Sequence, residues 1–226
     1  MSTREVGIEV EAGGRVSGLL QVPASARACY VLAHGAGAGM AHPFMAAVAQ
    51  GLFEHGIASL RYQFPYMERG SRRPDVPRLA HATVRAAVAE AARQLPGVAL
   101  FAGGKSFGGR MTSQAQAQSP LPDVRGLVFI GFPLHPAGKP SDERAAHLSD
   151  VEVPMLFLQG TRDELARLDL LQAVVARLGS RATLALFEHA DHSFHVPARS
   201  GRSDAQVMDE LVERIAVWVD AVVRGR

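Results

Sequence analysis

The sequence predicts an α/β protein, with a mostly parallel sheet covered by helices on both faces and an antiparallel hairpin at its N-terminal end. Three observations predict this class. Short apolar runs, typical of buried strands, alternate with longer segments whose apolar residues recur at helical spacing. Residues 6–23 alternate apolar and polar side chains on both sides of a glycine turn, which is typical of a hairpin. The length of 226 residues suits a single α/β domain over residues 1–226.

The first half of the chain contains strand and helix patterns in alternation. Residues 28–35 form an apolar run that ends at a glycine, and residues 36–56 contain apolar side chains at helical spacing before a second glycine. The same pattern then recurs, with strands predicted at 57–64 and 97–104 and helices predicted at 78–95 and from Gly108 to 118.

The second half continues this alternation. Strands are predicted at 124–134, 153–160 and 182–190, and helices at 168–179 and 204–224. A polar, proline-rich segment at 133–150 is too short for a large cap domain. Strands joined by helical crossovers lie parallel, so ligands are expected beyond the carboxyl ends of the strands.

Composition excludes several classes of protein. An apolar share of 47% with 20% charged residues is typical of a globular chain, and a net charge of +2 without a Lys/Arg-rich run argues against nucleic-acid binding. No apolar segment reaches the roughly 20 residues of a membrane-spanning helix. Cys29 is the single cysteine, and the first residues resemble no secretory signal. We therefore expect a cytoplasmic protein without a membrane partner.

Ser106 lies among glycines directly after a predicted buried strand. The stretch Gly104-Lys105-Ser106-Phe107-Gly108 fits the pattern G-x-S-x-G, in which the chain turns sharply from strand to helix and exposes the serine. The flanking glycines avoid steric clashes in such a turn. Ser106 is thus a candidate nucleophile, and the N–H of Phe107, at a helix N-terminus, is a candidate donor to an oxyanion.

A serine nucleophile needs a base and an acidic group that orients the base. Asp163 follows a predicted strand, with Glu164 as the neighbouring alternative, and Asp163 is the nearer of the two to the strand end. Three histidines near the end of the next predicted strand, His189, His192 and His195, compete for the role of base, and their spacing does not separate them.

A second glycine-rich loop, residues 34–39, follows the first predicted parallel strand. Glycine and alanine allow the backbone to approach a substrate carbonyl closely, so Ala36 or Gly37 is expected to donate a second oxyanion hydrogen bond, with His34 orienting the loop. The nucleotide-binding patterns G-x-x-x-x-G-K-[ST] and G-x-G-x-x-G with an acidic partner are absent from the sequence.

These motifs, in order along nearly the whole chain, resemble a known family. The segments LAHGAGAGMAHPFM, LRYQFPYME, AGGKSFGGRM, GFPLHPAGKP, LQGTRDE and ADHSF are similar to those of small α/β-hydrolases related to dienelactone hydrolase, and more narrowly to bacterial relatives of the KANL3/Tex30 hydrolase-like group. The resemblance implies the α/β-hydrolase fold, with Ser106 as nucleophile, Asp163 as acid and His192 as base. It implies no metal and no organic cofactor.

The sequence is therefore interpreted as a serine hydrolase that cleaves a small-molecule ester or thioester through an acyl-enzyme. The alternative is a catalytically silent α/β-hydrolase-like interaction module, because eukaryotic relatives in this group include subunits of complexes. A scaffold has no need of an intact Ser-Asp-His set, which favours the enzyme.

Overall fold

The described part of the chain forms a single eight-stranded sheet. The structure, a computed structural model, describes residues 3–11 and 13–225. Ala12, in the predicted hairpin turn, and residues 1, 2 and 226, at the ends of the predicted domain, lie outside this range. The strands are β1 (Thr3–Val10), β2 (Gly14–Gln21), β3 (Ala28–Ala33), β4 (Ile57–Tyr62), β5 (Ala99–Lys105), β6 (Val124–Ile130), β7 (Met155–Gly160) and β8 (Ala182–Phe187).

The strand order is β1-β2-β4-β3-β5-β6-β7-β8. The hairpin β1–β2 is antiparallel, and β2 also pairs antiparallel with β4. Every other pairing in this sheet is parallel. Strands β3, β4 and β7 are buried along their whole length, as expected where helices cover both faces of a parallel sheet. The predicted fold class, with its N-terminal antiparallel hairpin, is therefore confirmed.

In the described residues, six α-helices connect and cover the strands. They are α1 (Pro43–Glu54), α2 (Pro65–Glu68), α3 (Pro77–Gln94), α4 (Phe107–Gln118), α5 (Leu168–Leu178) and α6 (Asp204–Val223). Helices α1, α2 and α3 begin with proline, whose fixed φ suits the first helical turn. A capping box between Ser203 and Gln206 begins α6.

The helices bury two separate apolar cores against the sheet. On one face, α1 and α6 pack against alternate side chains of the parallel strands, with Leu52 and Leu211 both fully buried. On the other face lie α3, α4 and α5, with Val88, Met111 and Leu171 in the core. The two layers hold the central strands rigidly, so their carboxyl ends are fixed relative to one another.

Two local features depart from the sequence prediction. The short helix α2 falls inside a stretch for which no helix was predicted. The polar segment 133–150 ends in a 3₁₀ helix, Glu143–Asp150, whose Ala145 and Leu148 pack into the core. This segment forms no cap over the carboxyl edge, in agreement with the expectation of no large cap domain.

Candidate active site

Ser106 occupies a sharp turn between β5 and α4. Its backbone has φ 50° and ψ −116°, a left-handed value that non-glycine residues rarely adopt, and its N–H donates to the carbonyl of Ile130 at 3.1 Å. The turn also needs its glycines. A Cβ atom on Gly104 would lie 2.2 Å from the carbonyl oxygen of Ala33, and one on Gly108 would lie 2.6 Å from that of His34. The sequence therefore forms an elbow that presents the serine hydroxyl above the sheet.

Ser106, His192 and Asp163 form a hydrogen-bonded chain. The Nε2 atom of His192 lies 2.9 Å from Oγ of Ser106, and its Nδ1 atom lies 2.7 Å from Oδ2 of Asp163. With Nδ1 protonated, the imidazole donates to the carboxylate and accepts from the serine hydroxyl at Nε2. The structure therefore brings together the three residues that the sequence analysis singled out.

Asp163 is fixed by groups from its own strand and turn. Its side chain is completely buried, its Oδ1 accepts from the N–H of Leu165 at 2.8 Å, and its Oδ2 accepts from the amide of Gln159. Gln159 in turn accepts from the N–H of Phe132 at 2.9 Å. Glu164, the alternative acid, is exposed. Sequence reasoning missed Gln159, although a buried polar residue in an apolar strand is a readable signal.

The other two histidines of this loop have different surroundings. The Nδ1 atom of His195 lies 2.8 Å from Asp204, and its side chain is 63% exposed. His189 has a half-exposed side chain beside Glu188, and its backbone N–H donates to Thr161. Only His192 of these three hydrogen-bonds Ser106 or Asp163 among the described residues.

The loop that carries His192 is held from within. Oδ1 of Asp191 accepts from the N–H groups of Ser193 and His195 at 2.7 and 3.0 Å, forming a tight turn. The turn packs against the end of β7, where a Cβ on Gly160 would lie 2.3 Å from the carbonyl oxygen of Ala190. This close approach sets the position of His192 relative to Asp163.

The glycine-rich loop after β3 lies beside the elbow. His34 is fully buried, with Nδ1 2.7 Å from the carbonyl of Gly35 and Nε2 3.2 Å from the N–H of Phe64. Nδ1 therefore carries the proton and Nε2 accepts, and burial lowers the pKa of the ring. His34 thus ties the loop to the end of β4.

The two candidate donors in this loop differ. The N–H of Gly37 donates to the hydroxyl of Tyr66 in α2 at 3.1 Å, so it is already engaged. Within the described residues, the N–H groups of Ala36 and Phe107 have no protein acceptor. The geometry therefore favours Ala36 over Gly37 as the partner of Phe107 in an oxyanion site. The hydrogen bond between Gly37 and the hydroxyl of Tyr66 was not predicted from the sequence.

A cavity of about 390 Å³ opens in front of Ser106. Its polar lining comes from His42, Lys105, Ser106, His192 and Ser193. The apolar lining comes from Ala36, Ala38, Phe44, Met45 and Leu165. A small, largely apolar cleft with a few convergent polar groups is the usual form of a small-molecule site.

A second serine–histidine contact lies away from this cavity. Oγ of Ser113 in α4 lies 2.7 Å from Nε2 of His147, but Ser113 is fully buried and its hydroxyl donates to the carbonyl of Arg110. Burial, followed by the charge of Arg110, lowers the pKa of His147 to about 4. Ser113 therefore lacks the access to solvent that Ser106 has at its turn.

Groups of metal-ligating side chains and membrane-spanning helices are both absent from the described residues. Across residues 3–11 and 13–225, no three His, Cys, Asp or Glu side chains come together in an arrangement that could hold a metal ion. In the same residues, no helix combines the length and apolar character needed to cross a bilayer.

Fold and site together define a protein with the α/β-hydrolase architecture and no lid. Residues 26–220 match the family model of the alpha/beta hydrolase domain, and the chain belongs to this family. The narrower resemblance to the KANL3/Tex30 group is not confirmed by that match.

Solved structures share the fold over almost the whole chain. A serine hydrolase without a lid from Xanthomonas campestris is 21% identical, with a TM-score of 0.76 over 96% of this chain and 95% of that one. Dienelactone hydrolase from Anabaena variabilis is 21% identical, with a TM-score of 0.74 over 94% of this chain and 97% of that one. The esterase domain of a Rhodothermus marinus protein is 17% identical, with a TM-score of 0.71 and 98% of each chain covered.

Proposed function

We propose that this protein is a serine hydrolase that cleaves a small ester or thioester through an acyl-enzyme intermediate. The observation that carries the proposal is the hydrogen-bonded chain from Ser106 through His192 to Asp163, at the mouth of the cavity. Similar structures described as a serine hydrolase, a dienelactone hydrolase and an esterase domain add support from the fold.

In the acylation step, Oγ of Ser106 attacks the carbonyl carbon while Nε2 of His192 takes the hydroxyl proton. Asp163 keeps the imidazole in the required tautomer and stabilises the imidazolium that forms. The N–H groups of Phe107 and Ala36 donate hydrogen bonds to the carbonyl oxygen and stabilise the negative charge that develops on it. The tetrahedral intermediate then collapses, and His192 returns its proton to the departing alcohol or thiol.

In the deacylation step, water attacks the acyl-enzyme. His192 now takes a proton from the water, and the same two N–H groups stabilise the second tetrahedral intermediate. Collapse releases a carboxylic acid and restores the hydroxyl of Ser106, with His192 protonating the serine oxygen as it leaves. No step calls for a metal or an organic cofactor.

The cavity bears on the size of the substrate. Its volume of about 390 Å³ and its apolar walls favour a short, unhindered acyl group. Segment 133–150 leaves the cleft open at the edge of the sheet, so a bulky alcohol or thiol portion can extend into solvent. Within the family, we assign the chain to the relatives of the KANL3/Tex30 group on the motifs quoted above.

Labelling with a fluorophosphonate probe tests this function. The wild-type protein should gain one adduct on the peptide that contains Ser106, because a serine activated by His192 attacks the phosphorus atom. Ser106→Ala should gain none. The matched control is Ser113→Ala, which removes the other serine that contacts a histidine and should label like the wild type.

Intact-mass spectrometry, peptide mapping and circular dichroism provide the readout. Failure of the folded wild-type protein to react, together with no release of alcohol from short esters, would contradict the hydrolase and favour the silent interaction module. An adduct on another serine would contradict the assignment of Ser106.

A further inference from the structure

Lys105 precedes Ser106 at the end of β5, and its long side chain turns toward the loop that carries His192. Its Nζ atom donates to the backbone carbonyl of His192 at 2.5 Å. The ammonium also lies 5.7 Å from the ring centre of Phe194 and 6.0 Å from that of Phe44. Both ring contacts are within the range of cation–π attraction.

The same atom lies close to Gly131, the residue that follows β6. A Cβ on Gly131 would lie 3.0 Å from Nζ of Lys105 and 3.4 Å from Nδ1 of His192. Glycine at this position, with φ +67°, leaves room for both groups. The ammonium therefore lies where the ends of β5 and β6 meet the histidine loop.

The hydrogen bond from Lys105 fixes the backbone carbonyl of His192, which no other described group binds. The neighbouring groups are held elsewhere, since the carbonyl of Ala190 accepts from Arg162 and the N–H of Ser193 donates to Asp191. In the described part of the chain, Lys105 is the one donor to the carbonyl of His192. His192 is thus held at two points: Lys105 binds its backbone carbonyl, and Asp163 binds its Nδ1 atom.

The charge of Lys105 has no carboxylate within ion-pair distance among the described residues. Asp163 is engaged with His192, and Asp191 is engaged with the N–H groups of its own turn. Burial lowers the pKa of Lys105 to about 8, while Asp163 and Asp191 act in the opposite direction from a greater distance. At neutral pH the side chain is mostly the ammonium, a stronger donor to a carbonyl than the amine.

We propose that Lys105 is a positioning residue for the hydrolase, whose ammonium holds the carbonyl of His192 and thereby sets the imidazole between Ser106 and Asp163. This inference rests on the proposed function. A base displaced by a fraction of an ångström transfers a proton less efficiently, so loss of this contact lowers the rate of acylation and deacylation rather than the affinity for substrate.

Lys105→Met and Lys105→Gln test the proposal. Met keeps the length of the apolar stem without the donor, and Gln is a second variant without the charge. Each should lower kcat for ethyl butyrate by about 10- to 100-fold with little change in KM. The matched control is Lys139→Met, which removes the other lysine of the sequence from an exposed position and should leave kcat unchanged.

The pH profile separates positioning from packing. The groups that face the ammonium are His192, Asp163 and Asp191. Wild-type kcat should fall above about pH 8, as the ammonium becomes an amine and the contact with His192 weakens. The folded Met and Gln variants should show a lower plateau without this alkaline fall, because they have no group to deprotonate there.

The outcomes distinguish this inference from the proposed function. An unchanged kcat in both folded variants, or an alkaline fall that persists in them, would overturn the role of Lys105 while leaving the hydrolase intact. If the wild type neither releases ethanol nor reacts with the fluorophosphonate, the proposed function itself has failed.

Discussion

Asp163 and Glu164 are adjacent in the sequence but differ in their surroundings. Asp163 follows β7 closely and its side chain is completely buried, with Leu165 and Gln159 holding its two oxygens. Glu164 is exposed. A carboxylate that orients a histidine must be rigid and shielded from water, and only the first of the two meets both conditions.

Replacing each acid in turn tests this distinction. Asp163→Asn should lower kcat for ethyl butyrate by about 10⁴-fold, because the amide stabilises the wrong tautomer of His192. Glu164→Gln is the matched control and should lose little activity. Steady-state rates measure the effect, with circular dichroism to check folding. Equal losses of kcat in the two variants, or a greater loss in Glu164→Gln, would contradict the assignment of Asp163 as the acid.

At the scale of elements, the elbow between β5 and α4 works because backbones approach one another closely. Gly108 has an ordinary helical position, but the carbonyl of His34 lies directly where its side chain would be. The loop after β3 and the first turn of α4 are therefore packed backbone against backbone. This packing places the loop that carries Ala36 beside the turn that carries Ser106 and Phe107.

Gly108→Ala should therefore lower the stability of the protein. The added methyl group, 2.6 Å from the carbonyl oxygen of His34, forces the two elements apart, and the free energy of unfolding should fall by about 2–3 kcal/mol. Gly70→Ala is the control, since Gly70 has φ +67° but open space around it, and it should cost about 1 kcal/mol. Urea unfolding measures both, and a Gly108→Ala variant as stable as the wild type would refute this account.

The regular elements could be read from the sequence, whereas the short ones could not. Strand β3 is a continuous apolar run, β7 is apolar except at Gln159, and α6 shows helical spacing over five turns, so the pattern of apolar residues identifies them. Helix α2 spans four residues, too few for any periodic pattern. Its place is set by tertiary contacts, including the hydroxyl of Tyr66 on Gly37, which no local rule describes.

The site shows the same division. The glycine pattern around Ser106 and the strand end before Asp163 are local signals, so these two residues could be chosen in advance. The choice among three histidines depended on resemblance to a family. The supporting contacts of Gln159 and Lys105 join different strands, and their partners are defined only once the sheet is assembled.

At the scale of the whole molecule, several buried histidines make stability depend on pH. Burial lowers the pKa of His34, of His81 and of His147, the last to about 4. In the unfolded chain these rings bind a proton near pH 6.5. As pH falls below that value the unfolded state takes up protons that the folded state does not, so stability decreases until the folded pKa is reached.

The free energy of unfolding should therefore fall between about pH 6.5 and pH 4, by at most about 1.4 kcal/mol per pH unit for each such ring. The free energy of unfolding of His147→Gln should fall less steeply with decreasing pH than that of the wild type, because the variant lacks one of these rings. Urea unfolding at pH 7.5 and pH 5.0 measures the difference. Identical slopes for wild type and variant would contradict the role given to His147.

The hydrogen bond between Ser106 and His192 joins residues 86 positions apart, and that between His192 and Asp163 joins residues 29 apart. These groups meet only after β8, an edge strand, has docked on β7. Closing such distant contacts is slow, and chains of this length commonly fold through intermediates. On dilution from denaturant, ester turnover should thus return later than far-ultraviolet ellipticity. The time at which turnover returns then reports when the last strand has joined the sheet. Simultaneous recovery of the two signals in stopped-flow experiments would show instead that folding is a single step.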